Sequence, residues 1–132
     1  MGVVQREGSR RNLLGFKIRS NLGKTRKEAL VLWDSFLDSL NVQLLNLVAT
    51  GETDFTILSS VSQGIEGTHD ILLGLMEGDS RNSIVEEEYN LFLEIKSKLE
   101  NYNPIKNADE VADLAHELRN LSAKRKRIPH TL

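Results

Sequence analysis

Apolar residues return every three or four positions through four long stretches of this chain, and each stretch closes on a glycine or proline signal. The first stripe is Leu30, Trp33, Leu37, Leu40, Leu44 and Leu47. Alternating steps of three and four make a heptad seam, the pattern of a helix that lays one face along neighbouring helices. Thr25-Arg26-Lys27-Glu28 precedes it and reads as a capping box, with the hydroxyl on a free backbone N–H and the Glu reaching back. Gly51 supplies the stop.

The second stripe runs Leu58, Val61, Ile65, Thr68, Leu72 and Leu75, which predicts a helix from near Thr53 to about Gly78. Gly64, Gly67 and Gly74 lie inside it, each costing roughly 1 kcal/mol relative to Ala. They mark either a kink near Gly64–Gly67 or a close approach to another helix. The third helix opens at a second capping box, Ser83-Ile84-Val85-Glu86, and carries Val85, Tyr89, Phe92, Ile95, Leu99 and Tyr102. Asn103-Pro104 ends it, because the residue before proline is pushed out of helical geometry. The fourth is expected to begin at Asn107, with Glu110 three residues on. It carries Val111, Leu114, Leu118 and Leu121 and frays into a basic tail before Pro129.

Four amphipathic segments joined by short turns imply an all-α fold, an antiparallel four-helix bundle. The expected organisation is a basic N-terminal arm (1–24), the bundle (25–123) and a basic C-terminal tail (124–132). In the arm, Phe16 and Ile18 alternate with Lys17 and Arg19. A short hairpin turning at Glu7-Gly8-Ser9 and a flexible arm both fit that pattern.

Charge changes the picture more than composition does. Residues 1–28 hold eight Lys/Arg against two acids, residues 29–123 five against seventeen, and residues 124–132 four against none. The formal charge of −2 therefore hides an acidic body with two basic ends, a layout that recruits anionic partners or favours self-association. There is no cysteine, which removes disulfides, thiolate metal sites and cysteine nucleophiles, and suits a reducing compartment. No apolar run approaches the roughly 20 residues that span a bilayer. The first residues lack the apolar core of a signal peptide, and Arg6 stands where a myristoylation signal takes Ser or Thr. The expected location is cytoplasmic, or nuclear in a eukaryote, where an import signal is the alternative reading of the basic tail.

Candidate chemistry is sparse. Gly23-Lys24-Thr25 resembles the end of a phosphate-binding loop, but Ile18 stands where that loop needs its first glycine. A turn glycine, a solvated lysine and an N-cap explain it better. Glu66-x-x-His69 and Asp113-x-x-His116 approximate the ligand spacing of di-iron carboxylate bundles, with Asp34 or Asp38 and Glu87 or Glu94 as the remaining carboxylates. Against this, Asp113 and His116 fall at outward heptad positions, and Gly67 gives Glu66 a soft support. Glu86-Glu87-Glu88 sits beside a helix N-terminus, where acids favour the dipole. No nucleophile–base set is present, so no enzymatic activity, metal, cofactor or small-molecule substrate is expected.

The basic ends carry the functional expectation. Arg10, Arg11, Lys17, Arg19, Lys24, Arg26 and Lys27 form one cluster, and Lys124, Arg125, Lys126 and Arg127 the other. Such residues contact phosphates and release counterions. Phe16 is the one stacking candidate among them, so contact with the RNA or DNA backbone is expected rather than base reading. Trp33, Phe36 and Val48 cannot all face one seam, so a partner-binding face at Trp33, Phe36 and Leu40 is expected too. The resulting expectation is a non-enzymatic accessory or adaptor protein that self-assembles or docks on a larger partner and uses its basic ends on nucleic acid. The alternative is a protein-binding regulator that uses the face of helix 1 without nucleic acid.

Overall fold

The computed structural model describes residues 22–129. They form α1 (Leu22–Thr50), α2 (Phe55–Leu75), α3 (Asn82–Glu100) and α4 (Pro104–Arg127). The expected arm falls almost wholly on residues 1–21, outside the described ones. α1 packs on α2 and α4, and α3 packs on α2 and α4, while the backbones of the diagonal pairs do not approach each other closely. Consecutive helices are therefore neighbours around an antiparallel four-helix bundle, as short connections require.

The heptad reading of α1 holds at every position. Leu30, Trp33, Leu37, Leu40, Leu44 and Leu47 are all buried. Ile65 and Leu72 of α2, Val85, Phe92 and Ile95 of α3, and Val111 and Leu118 of α4 meet this seam in one core. Packing of such apolar faces, rather than helix propensity, is what makes helices of this length stable in water.

The ends of the helices differ from the expected ones, for local reasons. α1 already runs at Leu22, so Thr25 lies buried inside its first turns instead of at an N-cap. Gly51 adopts φ +78° and its N–H donates to the Leu47 carbonyl at 2.8 Å, an αL stop that glycine takes without strain. Asp54 caps α2, its carboxylate accepting from the N–H groups of Thr56 and Ile57 at 3.0 and 3.2 Å. α3 starts one residue before Ser83, because the turn ahead of it is tied down elsewhere. The Asp79 carboxylate accepts the Arg81 N–H at 2.9 Å, and the Asn82 amide donates to the Leu73 carbonyl at 3.0 Å. α4 starts at Pro104 rather than Asn107. Asn103 is its cap, accepting from Ile105 and Lys106, and proline fits the first helical position because it has no N–H to satisfy. Asn107 answers by accepting the Asn103 N–H at 2.9 Å, a box set one turn earlier than Asn107–Glu110 suggests.

α2 is continuous through its glycines. Of the three, Gly64 is the one crowded by a side chain of another helix. A Cβ there would lie 2.5 Å from Cζ of Phe36, whereas one at Gly67 or Gly74 would meet nothing within 4 Å. The glycine at 64 thus lets the Phe36 ring lie directly on the α2 backbone. α4 continues helical through Lys124–Arg127, and the chain turns extended at Ile128, ahead of Pro129. The basic C-terminal tail therefore begins as the last turn of α4.

Candidate nucleic-acid interface

The alternation of helix directions puts the start of α1, the α2–α3 connection and the end of α4 at one end of the bundle. Both described basic clusters therefore meet there. Lys27 is exposed on α1, and Lys124, Lys126 and Arg127 are exposed on the last turn of α4. Arg26, half-buried, is close enough for its charge to act on Asp79 of the α2–α3 connection. Lys126 lies on the α1 side of α4, with its Nζ 4.0 Å from Asp34 Oδ1. The α2/α3 side of the same end is acidic, with Glu77, Glu86 and Glu87 exposed. Arg10, Arg11, Lys17 and Arg19 lie outside the described residues, and Lys24 sits in the first turn of α1.

Arg125 is the exception, and its placement corrects the expectation that it contacts a ligand. It is 2% exposed and points into the bundle. Its Nε donates to Glu88 Oε1 at 2.8 Å and its Nη2 to Glu88 Oε2 at 3.0 Å, a two-pronged pair between α4 and α3. Nη2 also donates to Asp34 Oδ1 of α1 at 2.5 Å. Ser122 Oγ donates to Glu88 Oε2, and the Trp33 indole N–H donates to Glu88 Oε1 at 3.3 Å. Burial works against the Arg125 charge, but the hydrogen bonds and fields of Glu88 and Asp34 outweigh it and raise its pKa. Glu88, read with Glu86 and Glu87 as an acid that favours the helix N-terminal dipole, is fully buried. The signal for both is present in the sequence. Val111, Ala115, Leu118, Ser122 and Arg125 continue one seam in steps of four and three, and Glu88 stands three residues after Val85 and four before Phe92.

Asp34 links this interior to the surface. Lys126 Nζ lies 4.0 Å from the same Oδ1 that Arg125 holds. Lys126 is half-exposed and the Asp34 side chain 24% exposed, so the carboxylate sits at the edge of the cationic patch.

The expected partner face is placed differently. Trp33 and Leu40 are enclosed in the core, at 0% and 1% exposure, and Phe36 is half-buried over Gly64. The three do not form an outward surface. The packing difficulty that motivated it is resolved by Gly64, which makes room for Phe36, and by Glu88, which satisfies the indole N–H of Trp33. The large apolar residues that α1 does expose are Val31, Val42 and Leu45.

The carboxylate–histidine pairs do not converge. Glu66 and His69 are on α2, and Asp113 and His116 are on α4, the helix diagonal to it. Glu66 is paired with Lys96, whose pKa its hydrogen bond raises. The His69 ring stacks on Tyr89 with centroids 3.7 Å apart and planes 11° apart, joining α2 to α3. Asp34 is committed to Arg125. Among the described residues no group of three or more His, Asp and Glu is placed to hold a metal ion. No described helix is long and apolar enough to cross a membrane.

No protein family, curated protein or solved structure matches this chain.

Proposed function

We propose that this chain is a non-enzymatic helical-bundle accessory protein that contacts the RNA or DNA backbone along the α1/α4 edge of one end. The observation that carries the reading is that two basic segments, separated by most of the chain, are exposed at the same end of the bundle: Lys27 from α1 with Lys124, Lys126 and Arg127 from α4. Four cations on adjacent helices suit a ligand with regularly spaced negative charge. Aromatic stacking groups are absent from this edge among the described residues, which favours the phosphate backbone over the bases.

The test uses the full chain, because removing the tail would take Arg125 from Glu88 and unfold the bundle for reasons unrelated to binding. Wild-type protein and a Lys27→Gln/Lys124→Gln/Arg127→Gln variant are titrated with random-sequence RNA and DNA across a salt series. Wild-type affinity falls steeply with salt, and the variant's log–log slope is shallower by roughly 2 to 3, since each phosphate that is no longer neutralised removes about 0.7–0.9. No binding by the wild-type chain at low salt would overturn the reading.

A second reading keeps the α1 surface as a protein-binding face. Val31, Val42 and Leu45, at 64%, 56% and 50% exposure, are the large apolar side chains that α1 presents to solvent. An association of copies through them predicts concentration-dependent sedimentation that Val42→Asp abolishes while helicity is retained.

A further inference from the structure

We infer that Asp34 is a built-in competitor for the cationic edge, holding Lys126 back from an anionic ligand; this rests on the backbone-binding reading above. Three observations carry it. Among the described residues, Asp34 is the acid in ionic contact with an outward cation of the last turn of α4, its Oδ1 lying 4.0 Å from Lys126 Nζ. The same oxygen is held by Arg125 at 2.5 Å, and Arg125 is in turn fixed by both oxygens of Glu88. The carboxylate therefore cannot swing away without breaking its bond to a buried guanidinium. Third, Asp34 is only partly exposed, so solvent screens its negative charge less than that of a fully exposed acid.

A phosphate that approaches Lys126 meets this fixed carboxylate as a like charge, and Lys126 must leave Asp34 to receive it. Lys124 and Arg127 are exposed on the same turn and lie beside no comparably fixed acid among the described residues. The three outward cations of the last turn are thus unequal: Lys124 and Arg127 are available, while Lys126 is partly neutralised from within. The asymmetry also makes the edge tunable. Any partner or modification that draws Asp34 away would strengthen anion binding without adding a positive charge.

The experiment compares Asp34→Asn with Asp38→Asn, an acid one turn further along α1, using a random-sequence 20-nucleotide DNA across a salt series. Both variants gain one unit of charge. Asp34→Asn binds several-fold more tightly than Asp38→Asn, and its log–log salt slope steepens by about 0.7–0.9 as Lys126 reaches a phosphate. Asp34→Asn retains the Glu88–Arg125 pair and is expected to fold. A second comparison needs no change at Asp34. In the wild-type background Lys126→Gln changes the slope by less than half as much as Lys124→Gln or Arg127→Gln. Equal gains from the two Asp variants, or equal effects of the three cation variants, would overturn the inference and leave the backbone-binding reading standing. Absence of DNA binding by the wild type and by every variant would overturn both.

Discussion

Glu88 and Arg125 face each other across the α3–α4 interface, 37 residues apart in sequence, with two nitrogens of one guanidinium on two oxygens of one carboxylate. Both side chains are sealed from solvent, at 0% and 2% exposure. Their mutual attraction offsets the cost of taking two charges out of water only while both are present. Arg125→Ala leaves the Glu88 carboxylate buried against Trp33 and Ser122 without its counter-ion, and is expected to cost about 3–5 kcal/mol. The paired change Glu88→Leu/Arg125→Met removes both charges and is expected to cost far less than the sum of the single changes. Urea unfolding of the three variants reads this directly; additive effects would refute the pairing.

The glycines of α2 divide into one that packing requires and two that it does not. Gly67→Ala and Gly74→Ala meet open space and are expected to raise stability by about 0.5–1 kcal/mol each, since glycine gives up more backbone freedom on entering a helix. Gly64→Ala drives a methyl into the Phe36 ring and is expected to lower stability by roughly 1 kcal/mol despite the same propensity gain. Combining it with Phe36→Leu should recover part of that stability, a coupling that thermal melts of the single and double variants would reveal.

Asp79 predicts an acid-sensitive contribution. The Arg81 guanidinium, donating to its two oxygens at 3.0 and 2.6 Å, holds the Asp79 carboxyl at about 2, below its ordinary 3.8. A folded-state value below the unfolded one means that the ionised form stabilises the fold above the unfolded pKa, and that this contribution disappears as pH falls through the folded value. The shift is equivalent to about 2 kcal/mol. Asp79→Asn is therefore expected to be less stable than wild type by about that amount at neutral pH, with the gap closing as pH falls from about 4 to about 2. Urea midpoints at stepped pH measure it, and a gap independent of pH would dissociate the effect from ionisation.

Trp33→Asp is expected to abolish folding rather than to remove a surface contact, because it places a charge at a position with no solvent access. Disappearance of the helical circular-dichroism signal is the readout.

The heptad seam of α1 is legible to the residue, because one strict periodicity governs a helix that is buried along its whole inner face. The turns are less so. Ser83 and Asn107 are good capping residues by type, yet Asp79, Arg81 and Asn103 start the following helices earlier through bonds that involve the preceding turn. The two readings of the α2 glycines separate only when Phe36 is seen against Gly64, since close approach is a property of two helices. In the candidate site, residue type misleads where periodicity is right. Arg125 reads as a tail cation and Glu88 as one of three acids favouring a helix N-terminus, although both occupy seam positions. An arginine at a core register needs a buried acid on a facing helix, and Glu88 meets that need. Which acid it finds is set by topology, through hydrogen bonds spanning 37 and 91 residues.

The single tryptophan has an optical consequence. Its indole lies at zero exposure, with its N–H on Glu88 and its ring 6.4 Å from that of His69. Its emission should be blue-shifted while α1, α3 and α4 are locked together around Arg125. Any opening of that junction lets water reach the ring and moves the spectrum to the red. The chain thus carries an intrinsic fluorophore at the charged junction behind its basic edge, and that colour change reports, without an added label, whether the last turn of α4 is still anchored.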